Sequence, residues 1–292
     1  EGSFTIGGTT PDFATFSAAV NGLNTFGVCG PVTFYARSGT YNERIAISNL
    51  LGSSSTNTVT FTTDTNNSAP VLLTYSSGSS SDRAVIYLDG ANYVSFDGYD
   101  LQNNGGSYAG GVYLQNSNNG ITLNGLSFSS TSTSSLNNPI EAYMYGVNSE
   151  DLTITNCNLG GGYYGIRVYC YNNGGPGLNG LVVENNTITN SYYYGMYLYY
   201  YENSTIRNNN VDMVGGISNT YAYGLMCYGY GTGYKIEGNR VHAGYYGLYC
   251  YNLSGTNENR GLVANNKILL GDTATSNTIG YYALYFYNNG YM

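Results

Sequence analysis

The sequence predicts an all-β chain, a parallel β-helix with a short N-terminal capping helix, and two recurring phrases carry that expectation. The first is Tyr164-Gly165-Ile166-Arg167-Val168-Tyr169-Cys170-Tyr171, which returns over residues 194–201, 223–228, 246–251 and 282–287. It alternates aliphatic or cysteine positions with tyrosines, the period of two expected of a strand with one buried face. The small side chains point inward and the tyrosines outward. The second phrase lies between these strands, as in Ile154-Thr155-Asn156-Cys157-Asn158-Leu159, with copies beginning at Phe96, Leu123, Val183, Ile206, Ile236 and Val263. Its third position is always Asn or Gly, residues that tolerate positive φ, so each copy predicts the same sharp corner. The fourth is usually Asn (Asn186, Asn209, Asn239, Asn266), whose amide can bond to the Asn of the next copy. Successive corners are 27, 31, 29, 23, 30 and 27 residues apart. All-strand units recurring at that spacing stack as a solenoid.

Taken in order, Thr10-Pro11-Asp12 reads as an N-cap, a first helical residue and a carboxylate matched to the helix dipole. Phe13, Phe16, Val20 and Leu23 follow at helical spacing, and Gly27 ends the segment. The apolar face of this helix is expected to cover the open end of the solenoid, which otherwise exposes a strand edge and core. Residues 1–30 are thus a strand and a capping helix, and residues 31–292 about ten coils of a single domain. First strands are expected at Pro31–Tyr35, Arg44–Ile47, Val59–Phe61 and Val71–Leu73, then Ile86–Leu88 and Val112–Leu114. Stretches rich in Ser, Thr and Asn over 53–58, 76–81 and 129–138 read as loops leaving the coil.

Charged residues make up only 9% of the chain, while Gly and Tyr reach 41 and 35 copies. The surface must be polar through Asn, Ser, Thr and tyrosine hydroxyls. A net charge of −8 with nine Lys and Arg argues against nucleic acid or an anionic membrane as partner. No apolar run is long enough for membrane insertion. The sequence begins at Glu1, as a processed form or an excerpt would.

Five cysteines cannot all pair within one chain. Cys170, Cys227 and Cys250 read as sharing one inward strand position and Cys157 as taking a corner position, so they are expected to act as small buried hydrophobes. Cys227 and Cys250, if on adjacent coils, fall within disulfide range at the ~4.8 Å strand spacing. His242 is the only histidine and reads as a solvent-facing or turn residue. Asp97 and Asp100 flank a corner, a weak calcium signal. No metal and no cofactor is expected.

Asp12-Phe13-Ala14-Thr15-Phe16-Ser17-Ala18-Ala19-Val20, Gly30-Pro31-Val32-Thr33-Phe34 and Gly39-Thr40-Tyr41-Asn42-Glu43 resemble the cap and first coil of pectin-lyase-like right-handed β-helix proteins. The resemblance extends to β-helix modules of large secreted bacterial surface proteins, and it implies a right-handed coil and an extracellular or cell-surface location. The Gly-x-Tyr-x-Glu element at 39–43 is also similar to a pectinesterase motif, but beside the cap it reads as structural. Polygalacturonases of this superfold need paired carboxylates, and their Asn-Thr-Asp, Asp-Asp, Gly-His-Gly and Arg-Ile-Lys motifs do not occur in the sequence. No catalytic residue is expected.

The outward strand positions instead hold Tyr169, Tyr171, Tyr197, Tyr199, Tyr201, Tyr228, Tyr249, Tyr251, Tyr285 and Tyr287, with Arg167 the one charge among them. Singly, such tyrosines are a stacking ladder that stabilises each coil. As a contiguous aromatic stripe they predict a contact face for another protein or a polysaccharide. The sequence stops after a strand with no second cap, which predicts end-to-end association of copies through Phe4 and Ile6 at one end and Phe286, Tyr287 and Tyr291 at the other. The expected role is a non-catalytic subunit of an extracellular fibre whose main partner is another copy. A carbohydrate-binding adhesin module is the alternative, ahead of a lyase or hydrolase.

Overall fold

The computed structural model describes residues 1–215, 221–229, 231–271 and 282–290. Three long parallel sheets wind along one axis: sheet A with 11 strands and sheets B and C with nine each. From residue 94 onward each turn passes from sheet A through a sharp corner to sheet B, then to sheet C and back to A, whereas the second turn crosses from Val59–Thr63 to Val71–Tyr75 by the longer loop 64–70. Nine such turns stack, close to the number expected.

The capping helix is present but starts later than its sequence signal. It runs Phe16–Phe26, and its N-cap is Thr15, whose hydroxyl accepts from Ala18 N. Thr10 does not cap it. Asp12 turns back instead, and its carboxylate accepts from the Thr5 N–H and hydroxyl at 2.8 Å each, fastening the helix approach to the strand Gly2–Ile6. These bonds hold the Asp12 carboxyl below its ordinary range. The free N–H groups of the first turn are met by Glu43, whose two oxygens accept from Phe16 N at 2.9 Å and Ser17 N at 2.8 Å. A carboxylate at this end also faces the positive pole of the helix. Tyr41 packs edge-on to Phe16 at 5.0 Å and donates to Arg37 O at 2.8 Å. The 39–43 element is thus structural, the clamp between coil and cap. Gly27, at φ 63°, ends the helix.

Inside, the same position on successive sheet A strands forms a continuous column. Phe34, Phe61 and Phe96 stack at 4.8 and 5.1 Å, and Leu123, Ile154, Val183, Ile206 and Ile236 continue it in register. Every corner has the predicted left-handed residue: Gly98, Gly125, Asn156, Asn185, Asn208, Gly238 and Asn265 have φ between 55° and 81°. The residue after each corner turns inward. Early in the chain it is Tyr99, Leu126 or Cys157, all buried. Later it is asparagine, and the expected ladder forms: Asn186, Asn209 and Asn239 each donate from Nδ2 to Oδ1 of the next Asn at 2.9–3.0 Å. Each backbone N–H donates to the same oxygen. The second Nδ2 proton goes to a strand carbonyl, as from Asn209 to Val183 O at 2.9 Å. Every donor of these buried amides is therefore satisfied, which is what permits them in a core.

The Tyr-Gly pair that opens four of the five sheet C phrases, the last having Tyr282-Ala283, also has a steric reason. A Cβ on Gly195 would lie 2.4 Å from Val211 Cγ1 and 2.5 Å from the Gly224 carbonyl, so only glycine lets this strand close against sheet B.

Candidate interaction face

Sheet C carries its tyrosines in three outward rows parallel to the solenoid axis. The first is Tyr164, Tyr194, Tyr223, Tyr246 and Tyr282, in register strand to strand. The second runs Tyr87, Tyr113, Glu141, Arg167, Tyr197, Met226, Tyr249 and Tyr285. The third is Tyr143, Tyr169, Tyr199, Tyr228, Tyr251 and Tyr287.

Neighbouring strands in a sheet lie about 4.8 Å apart, near the stacking distance of aromatic rings. The third row therefore closes into one stack with centroid separations of 5.2, 5.0, 4.1, 4.6 and 5.0 Å, its planes within 15° of parallel. The first row stacks at 5.2, 5.0, 4.8 and 5.5 Å. Ring faces inside a row are covered by their neighbours, and the rows present ring edges and hydroxyls outward. Burial, then the neighbouring phenols, raises the hydroxyls of Tyr194, Tyr223 and Tyr246 above the ordinary tyrosine value, Tyr246 to about 12. At neutral pH these groups are phenols, with no phenolate to act as a base.

Two carboxylates sit among the rings: Asp89 accepts from the Tyr87 hydroxyl at 3.4 Å and from Asn116 Nδ2 near the start of the sheet, and Glu141 lies two strands further on. Glu141 is 2% exposed; its Oε1 meets Arg167 at 2.6 Å and Arg83 at 3.2 Å, while Oε2 accepts from Asn138 Nδ2 at 2.9 Å. Arg83 lies 3.9 Å over the Tyr113 ring, and Arg167 is 5.1 and 5.0 Å from the Tyr143 and Tyr164 rings. Both oxygens of Glu141 are thus engaged, and among the described residues the other carboxylate of this face, Asp89, lies two strands away rather than opposite it.

Of the predicted contact residues, Tyr169, Tyr197, Tyr199, Tyr228, Tyr249, Tyr251, Tyr285 and Tyr287 lie in the outward rows. Tyr171 lies just past its strand, 5.4 Å from Tyr145. Tyr201 does not belong there: it is 1% exposed. Tyr200, with φ 61°, breaks the alternation, so Tyr201 enters a new strand beside Leu178 and turns into the core. Arg167 faces outward but is held by Glu141 and is no free contact charge. The register of Cys170 was also misplaced, though its inward face was not. Cys227 and Cys250 share the register of Val168 and Leu198, whereas Cys170 lies two residues beyond Val168 because the first copy of the phrase is longer. All three are fully buried free thiols. His242, the sole histidine, is half-buried against Asp212 at 3.1 Å.

The ends differ. Ile6 is fully buried and bridged to Phe13, and Phe4 packs at 5.8 Å on both Phe13 and Phe34, so neither is an open docking residue. At the other end Leu284, Phe286 and Tyr287 are 51%, 37% and 51% exposed. Tyr291 lies outside the described residues. Sequence reasoning missed Glu141 and Arg83, because the strand Ile140–Tyr143 lacks the tyrosine phrase. It also left out the first row, although each copy opens with that tyrosine.

The family described as right handed beta helix region matches residues 84–290. The chain belongs to the right-handed β-helix family. Within that fold it is similar to the pectin methylesterase from Aspergillus niger in deglycosylated form: TM-score 0.56, 14% identity, 96% of this chain and 92% of that chain covered. A penultimately deglycosylated form of the same enzyme gives a TM-score of 0.53 with the same identity and coverage. A lacto-N-biosidase from Eubacterium ramulus follows at a TM-score of 0.43 and 9% identity, covering 92% of this chain and 68% of that one. No curated protein matches the chain. At these identities the likeness establishes the fold. This β-helix covers sheet C with tyrosine rows closed upon themselves, and no helix among its described residues is long and apolar enough to cross a membrane.

Proposed function

We propose that the chain is a non-catalytic structural module of an extracellular or cell-surface fibre, and that the tyrosine rows of sheet C are its contact face toward further copies. The observation that carries this reading is the covering of sheet C by stacked phenols, with the buried Glu141 carboxylate held by two arginines and an amide. Tyrosine edges and hydroxyls suit protein contacts, giving apolar area and hydrogen bonds at low cost in side-chain entropy. Carbohydrate stacking on these rows needs free ring faces, which the rows close, so the adhesin reading of the same tyrosines is weaker. Head-to-tail docking of core on core is also disfavoured, because the helix and Phe13 cover the first coil. Lateral contact through sheet C is the geometry favoured.

Sedimentation velocity over a concentration series, with electron microscopy of the same samples, tests the proposal. Association is expected to rise with concentration and to fall in the Tyr197→Ser, Tyr249→Ser, Tyr285→Ser triple variant. A monomer at every concentration without filaments sinks the assembly role. Release of methanol or of reducing or unsaturated sugars from pectin overturns the non-catalytic one.

A further inference from the structure

Cys227 and Cys250 are the one pair of cysteines that the fold brings into register among the described residues. The strands Tyr223–Tyr228 and Tyr246–Tyr251 are parallel neighbours in sheet C, and Cys227 stands directly opposite Cys250. Neighbouring strands put such partners about 4.8 Å apart at Cα, inside the span of roughly 4.4–6.8 Å that disulfides bridge. Both side chains point inward and both are fully buried. The two thiols meet, and burial first, then this contact, pushes the Cys250 thiol well above its ordinary value. No other cysteine has such a partner. Cys157 follows a corner, Cys170 lies beyond the end of the strand Tyr164–Tyr169, and Cys29 is exposed before the first coil.

The column that holds the pair is Val168, Leu198, Cys227, Cys250 and Phe286. Small side chains at its two middle positions make room for the buried Tyr201 and Tyr234, which lie near both thiols. Alanine or valine would serve that packing equally well, whereas only cysteine can join the two strands. The place along the axis gives such a link a task. Where the columns of Leu248 and Cys250 continue onto the strand Tyr282–Tyr287, Leu284 and Phe286 are exposed, while Leu248 and Cys250 themselves are fully buried. A solenoid is held coil to coil, so it opens from an uncovered coil inward. A bond between Cys227 and Cys250 stops that opening one strand in.

We infer that Cys227 and Cys250 form a disulfide that staples the strand Tyr246–Tyr251 to the strand Tyr223–Tyr228. The bond forms by exchange with a small disulfide such as glutathione disulfide. One cysteine thiolate attacks it and releases one glutathione thiol, and the second attacks the mixed disulfide and releases the other. One S–S bond breaks and one forms, and the two electrons and two protons given up by the cysteines leave on the two glutathione thiols. Burial shields the folded pair from the oxidant, so the exchange belongs to folding, before these coils close. The inference takes from the proposed function only the oxidising surroundings of an extracellular chain. Its test supplies those surroundings itself, so its failure leaves the contact role of sheet C standing.

The whole chain is refolded from urea in a couple of glutathione and glutathione disulfide, or in dithiothreitol as the reduced control, and its remaining thiols are blocked. Trypsin places the two cysteines in separate peptides, 208–235 and 241–260, so mass spectrometry reads the link directly. The two peptides are expected joined in the oxidised chain, two hydrogens lighter than their sum, and separate after reduction. In native-state hydrogen exchange the strand Tyr246–Tyr251 should exchange about tenfold or more slowly in the oxidised than in the reduced chain, as closing a loop of about two dozen residues requires. The strand Val32–Ala36 should exchange alike in both. Cys250→Val, which repeats the residue at position 168 of the column, should lose both the link and the response to the couple. Unlinked peptides in the chain refolded with the couple, a link between other cysteines, or equal exchange of Tyr246–Tyr251 in oxidised and reduced chains overturns the inference.

Discussion

The early coils stack aromatic rings on the inner face of sheet A, and the late coils stack them on the outer face of sheet C. In the early coils the rings lie inside, as the Phe34, Phe61, Phe96 column, and the residue after the corner is apolar. In the late coils the inward column is Val183, Ile206 and Ile236, the corner carries the asparagine ladder, and the rings stand outside as tyrosine rows. The Glu141, Arg83, Arg167 cluster lies at the change between them. A parallel solenoid brings identical residues to strand spacing at every turn, so any repeated aromatic stacks. The parity of its position decides whether that stack builds core or surface.

The largest difference between the two regions is expected in alkali. The phenols of Tyr194, Tyr197, Tyr199 and Tyr223 are raised above the ordinary tyrosine value of 10.0, first by burial. A raised folded pKa favours the protonated group, so its contribution is complete below the unfolded value and is lost as pH rises through the folded one. Each such tyrosine makes folding weaker by about 1.4 kcal/mol per pH unit in that window. The early coils share this liability at the buried Tyr99 and at Tyr87 and Tyr113, but the late coils hold more such phenols, so hydrogen exchange above pH 10 is expected to open the late coils first. Uniform opening would mean that the outer rows carry no special share of the stability.

Core substitution should reverse that order. Phe61→Ala removes a fully buried ring from the middle of a stack and leaves a cavity that the flanking coils cannot close, a loss of about 3–5 kcal/mol. Asn209→Ala acts in the late core by another route. It strands the Asn186 N–H and amide and the Val183 carbonyl without partners, for about 2–3 kcal/mol. Urea unfolding of both variants checks the ranking, and an Asn209→Ala chain as stable as its parent would show the ladder to be a tolerated feature.

Much of this contrast was legible in the sequence, because corner residues and period-two strands are local rules. Asn or Gly at the third corner position needs only φ tolerance to be read, and every described copy obeys it. Tyr201 was misread because a single left-handed residue, Tyr200, resets the parity that the rule assumes. The N-cap was read at Thr10 but is Thr15, because Asp12 is drawn back to Thr5 and Glu43, far along the chain, meets the first-turn N–H groups. The charge cluster depends on a sheet C strand without the tyrosine phrase, which supplies Glu141, and on Arg83 in the turn before residue 84. Repetition cannot announce what occurs once.

The smallest expected effect discriminates most sharply between core and surface stacking. Tyr228 lies between Tyr199 at 4.1 Å and Tyr251 at 4.6 Å, both nearly parallel, so its ring contacts are as close as those of Phe61. Tyr228→Ser nevertheless should cost only about 1 kcal/mol, the value of outward aromatic pairs. The gap it leaves opens to water, and the hydroxyls of the neighbouring rings can be solvated. If stacking alone set the energy, Tyr228→Ser and Phe61→Ala would destabilise equally. A loss several times smaller for Tyr228 places the difference in the cavity and the water excluded from it.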